Sequence, residues 1–186
     1  MDSRHPTIAR RDDSVIVVVD CQTKLWKTIF NKGDLENSLP LLLEGAGLLD
    51  LPVLVTEHYA KGLGKTTAKV KRATASAPCI GKLSFSCFGE PEFVKALQEL
   101  DRSTLILVGV ETHICILQTA LDAMAAGYRV HVAEDGVGTR DQLNHEVGLR
   151  RLQEAGTVVT CIESLLFEWM ERCDIDAFKS VVNLLK

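Results

Sequence analysis

The sequence predicts an α/β fold: a three-layer αβα sandwich around a mainly parallel sheet of about six strands. Three observations predict it. Short β-branched runs alternate with longer segments of helical spacing along the 186 residues, the pattern of right-handed βαβ crossovers. The runs are apolar throughout rather than at every second residue, which marks strands covered on both faces. A chain of this length is one domain's worth and buries roughly 70% of its unfolded surface, so its core needs no staple. Such a Rossmann-like sheet carries its functional residues outside the carboxyl ends of its strands.

The elements follow in order. Residues 1–13 are polar, lack apolar periodicity and close on Arg10, Arg11, Asp12 and Asp13. They read as a flexible N-terminal arm, dispensable for folding, with residues 14–186 as a single domain. Residues 14–20 form the first strand and end on a carboxylate, Asp20. Residues 52–56, 78–83, 104–109, 128–133 and 157–161 supply the other strands. Helices fill the gaps at 34–49, 90–100, 112–126 and 141–155, with Gly127 and Gly156 as stop signals. Phe93, Val94, Leu97 and Leu100 recur at helical spacing, as do Ile116, Leu117, Ala120, Leu121 and Met124. Two terminal helices are expected at 164–172 and 176–185. Phe167, Trp169, Met170 and Phe178 concentrate apolar surface there, which points to a homo-oligomer.

Composition excludes several classes. Apolar residues are 46% and charged residues 25% of the chain, as in a globular protein. With 21 Lys and Arg against 25 Asp and Glu, the formal charge is −4. That lacks the basic footprint of a nucleic-acid binder or a membrane-surface protein, so neither nucleic acid nor membrane is an expected partner. No apolar run approaches the ~18 residues of a membrane span. Residues 15–19 are too few for a signal-peptide core, and Asp20 stops them. Cys21, Cys79, Cys87, Cys115, Cys161 and Cys173 form no Cys-x-x-Cys pair. They read as free thiols in a reducing, cytoplasmic setting.

Two phosphate-binding patterns fail. Gly62-Leu63-Gly64-Lys65-Thr66-Thr67 ends like a P-loop, but Tyr59 stands where the first glycine belongs. The segment leads into Lys69, Lys71 and Arg72 rather than a helix start, so it reads as a surface loop. Gly136-Val137-Gly138 lacks the third glycine of a dinucleotide fingerprint, replaced by Asp141. His58, His113, His131 and His145 show no metal-ligand spacing. No metal and no cofactor are expected.

The strongest signal is Val108-Gly109-Val110-Glu111-Thr112-His113-Ile114-Cys115. A buried strand breaks at glycine, Thr112 offers a cap, and Cys115 falls in the first helical turn. Unpaired N–H groups and the helix dipole favour an anion there, and a thiol so placed is drawn toward the thiolate. A merely packed cysteine is the plain alternative. Asp20 follows five apolar residues with no packing reason for a carboxylate, and Lys82 is a cation inside Gly81-Lys82-Leu83-Ser84-Phe85. Three such groups at strand ends of one sheet suggest a site.

These residues also carry a resemblance. Val19-Asp20-Cys21-Gln22, Lys82-Leu83-Ser84-Phe85-Ser86-Cys87-Phe88 and Gly109-Val110-Glu111-Thr112-His113-Ile114-Cys115 resemble, in order and spacing, the three motifs of the isochorismatase-like cysteine hydrolases. That superfamily includes nicotinamidases and N-carbamoyl amidases. The likeness runs from about Ser14 to Leu166, and Thr56-Glu57-His58-Tyr59 is nearer the isochorismatase-domain branch. The resemblance implies a catalytic triad of Asp20, Lys82 and Cys115 and a non-proline cis peptide at Val110-Glu111. It implies oxyanion donors in that turn, including the Cys115 N–H, and a homo-oligomer. The histidine spacing that gives nicotinamidases a metal is missing around Glu57, His58 and Tyr59.

In that reading Lys82 stabilises the Cys115 thiolate, Asp20 relays the proton, and a thioester forms and is hydrolysed as an amide-type C–N bond breaks. Gln22, Trp26, Glu57, Phe88 and His113 are the expected pocket lining. Two alternatives stay open: vinyl-ether hydrolysis of an isochorismate-like acid, which an intact Cys115 disfavours, and a non-enzymatic redox or interaction protein with a silent pocket.

Overall fold

The computed structural model describes residues 4–186. Six strands form one sheet: β1 (Ser14–Val19), β2 (Val53–His58), β3 (Cys79–Lys82), β4 (Thr104–Val110), β5 (Arg129–Gly138) and β6 (Val158–Thr160). Their spatial order is β3-β2-β1-β4-β5-β6, and every pairing is parallel. The helices are α1 (Thr23–Trp26), α2 (Lys32–Leu48), α3 (Ala60–Leu63), α4 (Ala68–Ala73), α5 (Pro91–Glu99), α6 (Leu117–Ala125), α7 (Gln142–Glu154), α8 (Ile162–Met170) and α9 (Phe178–Leu184). None is long and apolar enough to cross a membrane.

Alternation along the strands divides the core into two layers. Ile16, Val18, Ile106 and Val108 face α2, α4, α8 and α9. Val15, Val17, Leu105 and Leu107 face α5, α6 and α7. β1 and β4 lie at the centre, and every residue of both is buried. Each fully buried valine or leucine there contributes roughly 1.5–3 kcal/mol. This is why these two strands are apolar throughout and why their polar ends stand out.

Three expectations are corrected. The flexible arm is docked over its described part; Met1–Ser3 lie outside the described residues. Ala9 is wholly buried, its N–H donating to Glu168 Oε2 at 2.7 Å. Asp13 accepts from Ser103 N at 2.9 Å and Thr104 Oγ1 at 2.9 Å, and it pairs with Arg129. The arm has no periodicity because it packs through single residues and backbone groups rather than through a helical or strand face. Deleting residues 1–13 is therefore expected to lower the melting temperature by roughly 5–10 °C, as the burial of Ala9 and several part-buried or exposed hydrogen bonds, ~1 kcal/mol each at most, are lost together. An unchanged melting temperature in a thermal scan would contradict the docking.

The segment after β2 is not a plain surface loop. It makes a helical turn, α3, then runs through buried Thr66 into α4. The apolar terminal residues are also mostly internal. Trp169 and Met170 are buried, with Trp169 Nε1 donating to Ser14 Oγ at 3.3 Å. Only Phe167 of that group is exposed, so the terminal helices are no large apolar patch.

Candidate active site

The strand order reverses between β1 and β4, and in an open α/β sheet the crevice at such a switch point receives ligands. Asp20 leaves β1 there. It takes φ 52°, a left-handed conformation that aspartate enters more readily than most residues. The Gln22 N–H closes on its carbonyl at 2.6 Å. Its carboxylate is fully buried, accepts from Thr56 Oγ1 at 2.8 Å and pairs through Oδ2 with Lys82 Nζ at 2.7 Å. Lys82 comes from the end of β3, two strands away, so its long stem must reach past β2. Its ammonium also donates to the carbonyls of Ser84 and Phe85, at 3.1 and 2.9 Å.

The nucleophile turn leaves β4. Gly109 has φ +109°, and a Cβ there would lie 2.1 Å from the Val19 carbonyl oxygen. Only glycine allows β4 to pass β1 this closely. The Val110–Glu111 peptide bond is cis. Thr112–Ile116 then make a π-helical turn, with Ile116 N–H donating to Glu111 O at 3.2 Å. The turn presents Cys115 at 6% exposure on the cavity that Asp20 also lines, close enough for its thiol to feel the charges of Asp20 and Lys82. Thr112 Oγ1 meets His145 Nδ1 at 2.9 Å, which ties the turn to α7. The Glu111 carboxylate accepts from Thr139 Oγ1 at 2.7 Å and from Arg140 N and Nε, each at 3.0 Å. Burial alone would raise its pKa, but the Thr139 and Arg140 bonds outweigh burial and hold it below the ordinary glutamate value.

The structure thus brings Asp20, Lys82, Glu111 and Cys115 together. A cavity of 320 Å³ opens over them, walled by Leu25, His58, Leu63, Phe85, Ile114 and Arg140. The other expected lining residues do not reach it. Gln22 donates to the carbonyls of His58 and Gly64 and accepts from His58 N–H. Trp26 is buried with its indole on Glu36. Glu57 points to the opposite face of β2, Phe88 stacks edge-on with Phe93 and Tyr128, and His113 faces Thr139. Phe85 and Ile114 sat inside the quoted motifs and were within reach of a sequence reading. Leu25, Leu63 and Arg140 have no local pattern that marks them.

The electrostatics revise one expectation. Burial first, and the Asp20 carboxylate second, push the Cys115 thiol up to about 12, against the opposing pull of Lys82. In the free site burial and the neighbouring carboxylate thus favour the protonated thiol over a standing thiolate. Burial would lower the Lys82 pKa, but Asp20 and then Cys115 override it and keep the ammonium above its usual value. Burial and Lys82 hold His58 low. Iodoacetamide at neutral pH should consequently modify the exposed Cys79 and Cys173 before Cys115. The Cys115 rate should still climb above about pH 9.5, where an ordinary thiol of pKa ~8.5 has levelled off. Fast neutral labelling of Cys115, located by peptide mass mapping, would overturn this ordering. Among the described residues no three His, Cys, Asp or Glu side chains cluster as metal ligands.

The isochorismatase domain profile matches residues 14–164. The chain belongs to the isochorismatase domain family. Isochorismatase domain-containing protein 1 of Danio rerio is 35% identical over 174 residues, covering 93% of this chain. The chain spans 61% of that protein's length. Isochorismatase domain-containing protein 2 of Rattus norvegicus is 32% identical, covering 94% of this chain and 82% of the relative. Among solved structures, the MAR1 ribonuclease of Caenorhabditis elegans superposes with a TM-score of 0.90 at 30% identity, covering 95% of this chain and 91% of its own.

Proposed function

We propose that this isochorismatase-family chain hydrolyses an amide-type C–N bond of a small molecule through a thioester on Cys115. One observation carries the reading: a buried thiol shares one small cavity with a buried carboxylate that is itself ion-paired to a buried lysine. The carboxylate of Asp20 takes the thiol proton as Sγ attacks the carbonyl carbon. Lys82 stays charged and offsets the negative charge that now resides on Asp20 or sulfur. N–H groups of the cis turn, the Cys115 N–H among them, receive the oxyanion. The C–N bond breaks, and Asp20 returns the proton to the leaving amine. Water then attacks the thioester, releasing the carboxylic acid and restoring the thiol.

A cavity of 320 Å³ with four apolar walls suits a small, mostly apolar amide. The net charge of −4 supports a small-molecule substrate over a polyanion. Vinyl-ether cleavage gives no task to a thiol set in the same cavity as Asp20. Incubation with a panel of small amides should give ammonia and, on rapid quenching, an acyl adduct in the intact mass that maps to Cys115. No ammonia and no adduct across aliphatic and aromatic amides would defeat the proposal.

A homo-oligomer belongs to the same reading, moved to a different surface. Tyr59, Leu83 and Phe85 are exposed, Leu83 to 74%; Phe85 lines the cavity, and the Tyr59 N–H bonds the Lys82 carbonyl at the same end of the sheet. A covering copy would remove that apolar surface from water. Light scattering at micromolar concentration should show more than one copy, and a monomer would sink the idea.

A further inference from the structure

A second cavity lies on the other face of β2 and β3. Neighbouring residues on these strands point to opposite faces, so His58 and Lys82 serve the catalytic cavity while Glu57 and Gly81 face this one. Its volume is 500 Å³, within the range that accepts small organic ligands. The floor is left open by Gly81, where an added Cβ would meet no atom within 4 Å. The walls are apolar at Val55, Ala60, Ala75 and Ala77.

The polar groups are few and convergent. Lys65 donates to Glu57 Oε2 at 3.0 Å, and Thr66 N and Oγ1 donate to Glu57 Oε1 at 2.8 and 2.9 Å. Glu57 is thus satisfied, and burial, which would raise its pKa, is outweighed by these bonds. Lys71 also lines the cavity, and among the described residues it makes no ion pair. Lys65 and Lys71 against Glu57 leave one positive charge. Cys79, at the start of the edge strand β3, opens into the same space. The Gly62–Thr67 stretch separates the two cavities: Leu63 faces the catalytic one, Lys65 and Thr66 this one.

We propose that this cavity is a second binding site, for a small organic monocarboxylate whose apolar body lies against Val55, Ala75 and Ala77 and whose carboxylate meets Lys71. One net charge suits a monoanion, and the fixed Glu57 carboxylate opposes a dianion. The site is independent of the thioester reading, because its test reads binding and not turnover.

The probe is 2-naphthoate, with 2-naphthamide as its neutral counterpart and 2-naphthyl phosphate as the dianion. Maleimide labelling of Cys79 is followed by peptide mass, with exposed Cys173 as internal control. 2-Naphthoate at about nine times its Kd should slow labelling of Cys79 about tenfold, because labelling follows the unoccupied fraction, and leave Cys173 unchanged. Lys71→Glu should abolish protection. Gly81→Val fills open floor in a strand that tolerates a β-branched residue, so it should keep the melting temperature and also abolish protection. Calorimetric titration of the unlabelled protein should give the same ranking of the three probes. Equal protection by the amide, stronger protection by the phosphate, or protection that survives both substitutions would overturn the proposal.

Discussion

Cys115→Ala is expected to reduce amide turnover by about 10⁴–10⁶-fold, the scale on which removing a nucleophile acts when its partners work as a unit. The fold should survive. The change removes one sulfur from a side chain beside an open cavity, and the π-helical turn is held by backbone bonds to Glu111 and by the Thr112–His145 contact. The two other buried thiols serve as controls. Cys21 is fully buried, and burial, then Asp20, raises its pKa well above the ordinary thiol range. Cys87 sits 4.0 Å from Thr56 Oγ1 and is pushed by burial to about 11. Neither lines the catalytic cavity. Cys21→Ala and Cys87→Ala should each keep turnover within about tenfold of the parent, reporting only small shifts in packing. If Cys87→Ala inactivates and Cys115→Ala does not, the sulfur has been misassigned.

How legible was this site in the sequence? The central strands were plain because nothing polar interrupts them. For the same reason Asp20 and Lys82 were conspicuous: charges at the ends of buried strands need a partner, and each proved to be the other's. β5 read as stopping at Ala133, yet it runs to Gly138. Glu134 and Asp135 broke the apolar run, and the register shifts between Leu107 and Gly109. The short helices α3 and α4, of four and six residues, carry too little periodicity to be seen. Glu57 looked like a pocket residue, but it faces away because a strand shows alternate residues to opposite layers. The thiol was misjudged for a different reason. Its position at a helical turn argued for a low pKa, while burial and the neighbouring carboxylate act in the opposite direction and prevail. Burial is a property of the assembled cavity, and no local pattern reports it.

Lys82→Ala should be the costliest single change to stability among the site residues. Lys82 and Asp20 are 3% and 0% exposed and 2.7 Å apart. Removing the ammonium leaves a buried carboxylate without its counter-charge, at a cost of about 3–5 kcal/mol. In a chain of this size that corresponds to a melting temperature lower by roughly 6–20 °C. The loss should be nearly constant across neutral pH. The folded pKa of Lys82 lies above its usual value, so the pair's contribution is fully present below ~10.4. It fades only as pH rises through the folded value. A double variant, Asp20→Asn with Lys82→Ala, deletes the stranded charge as well. It should melt above Lys82→Ala alone, because a neutral amide in that place can still accept from Thr56 Oγ1. Both variants should be inactive, so stability and catalysis separate cleanly: recovery of the melting temperature without recovery of turnover. If the double variant melts no higher than Lys82→Ala, the stranded carboxylate is not the source of the cost, and the ion pair contributes less to the fold than its burial implies.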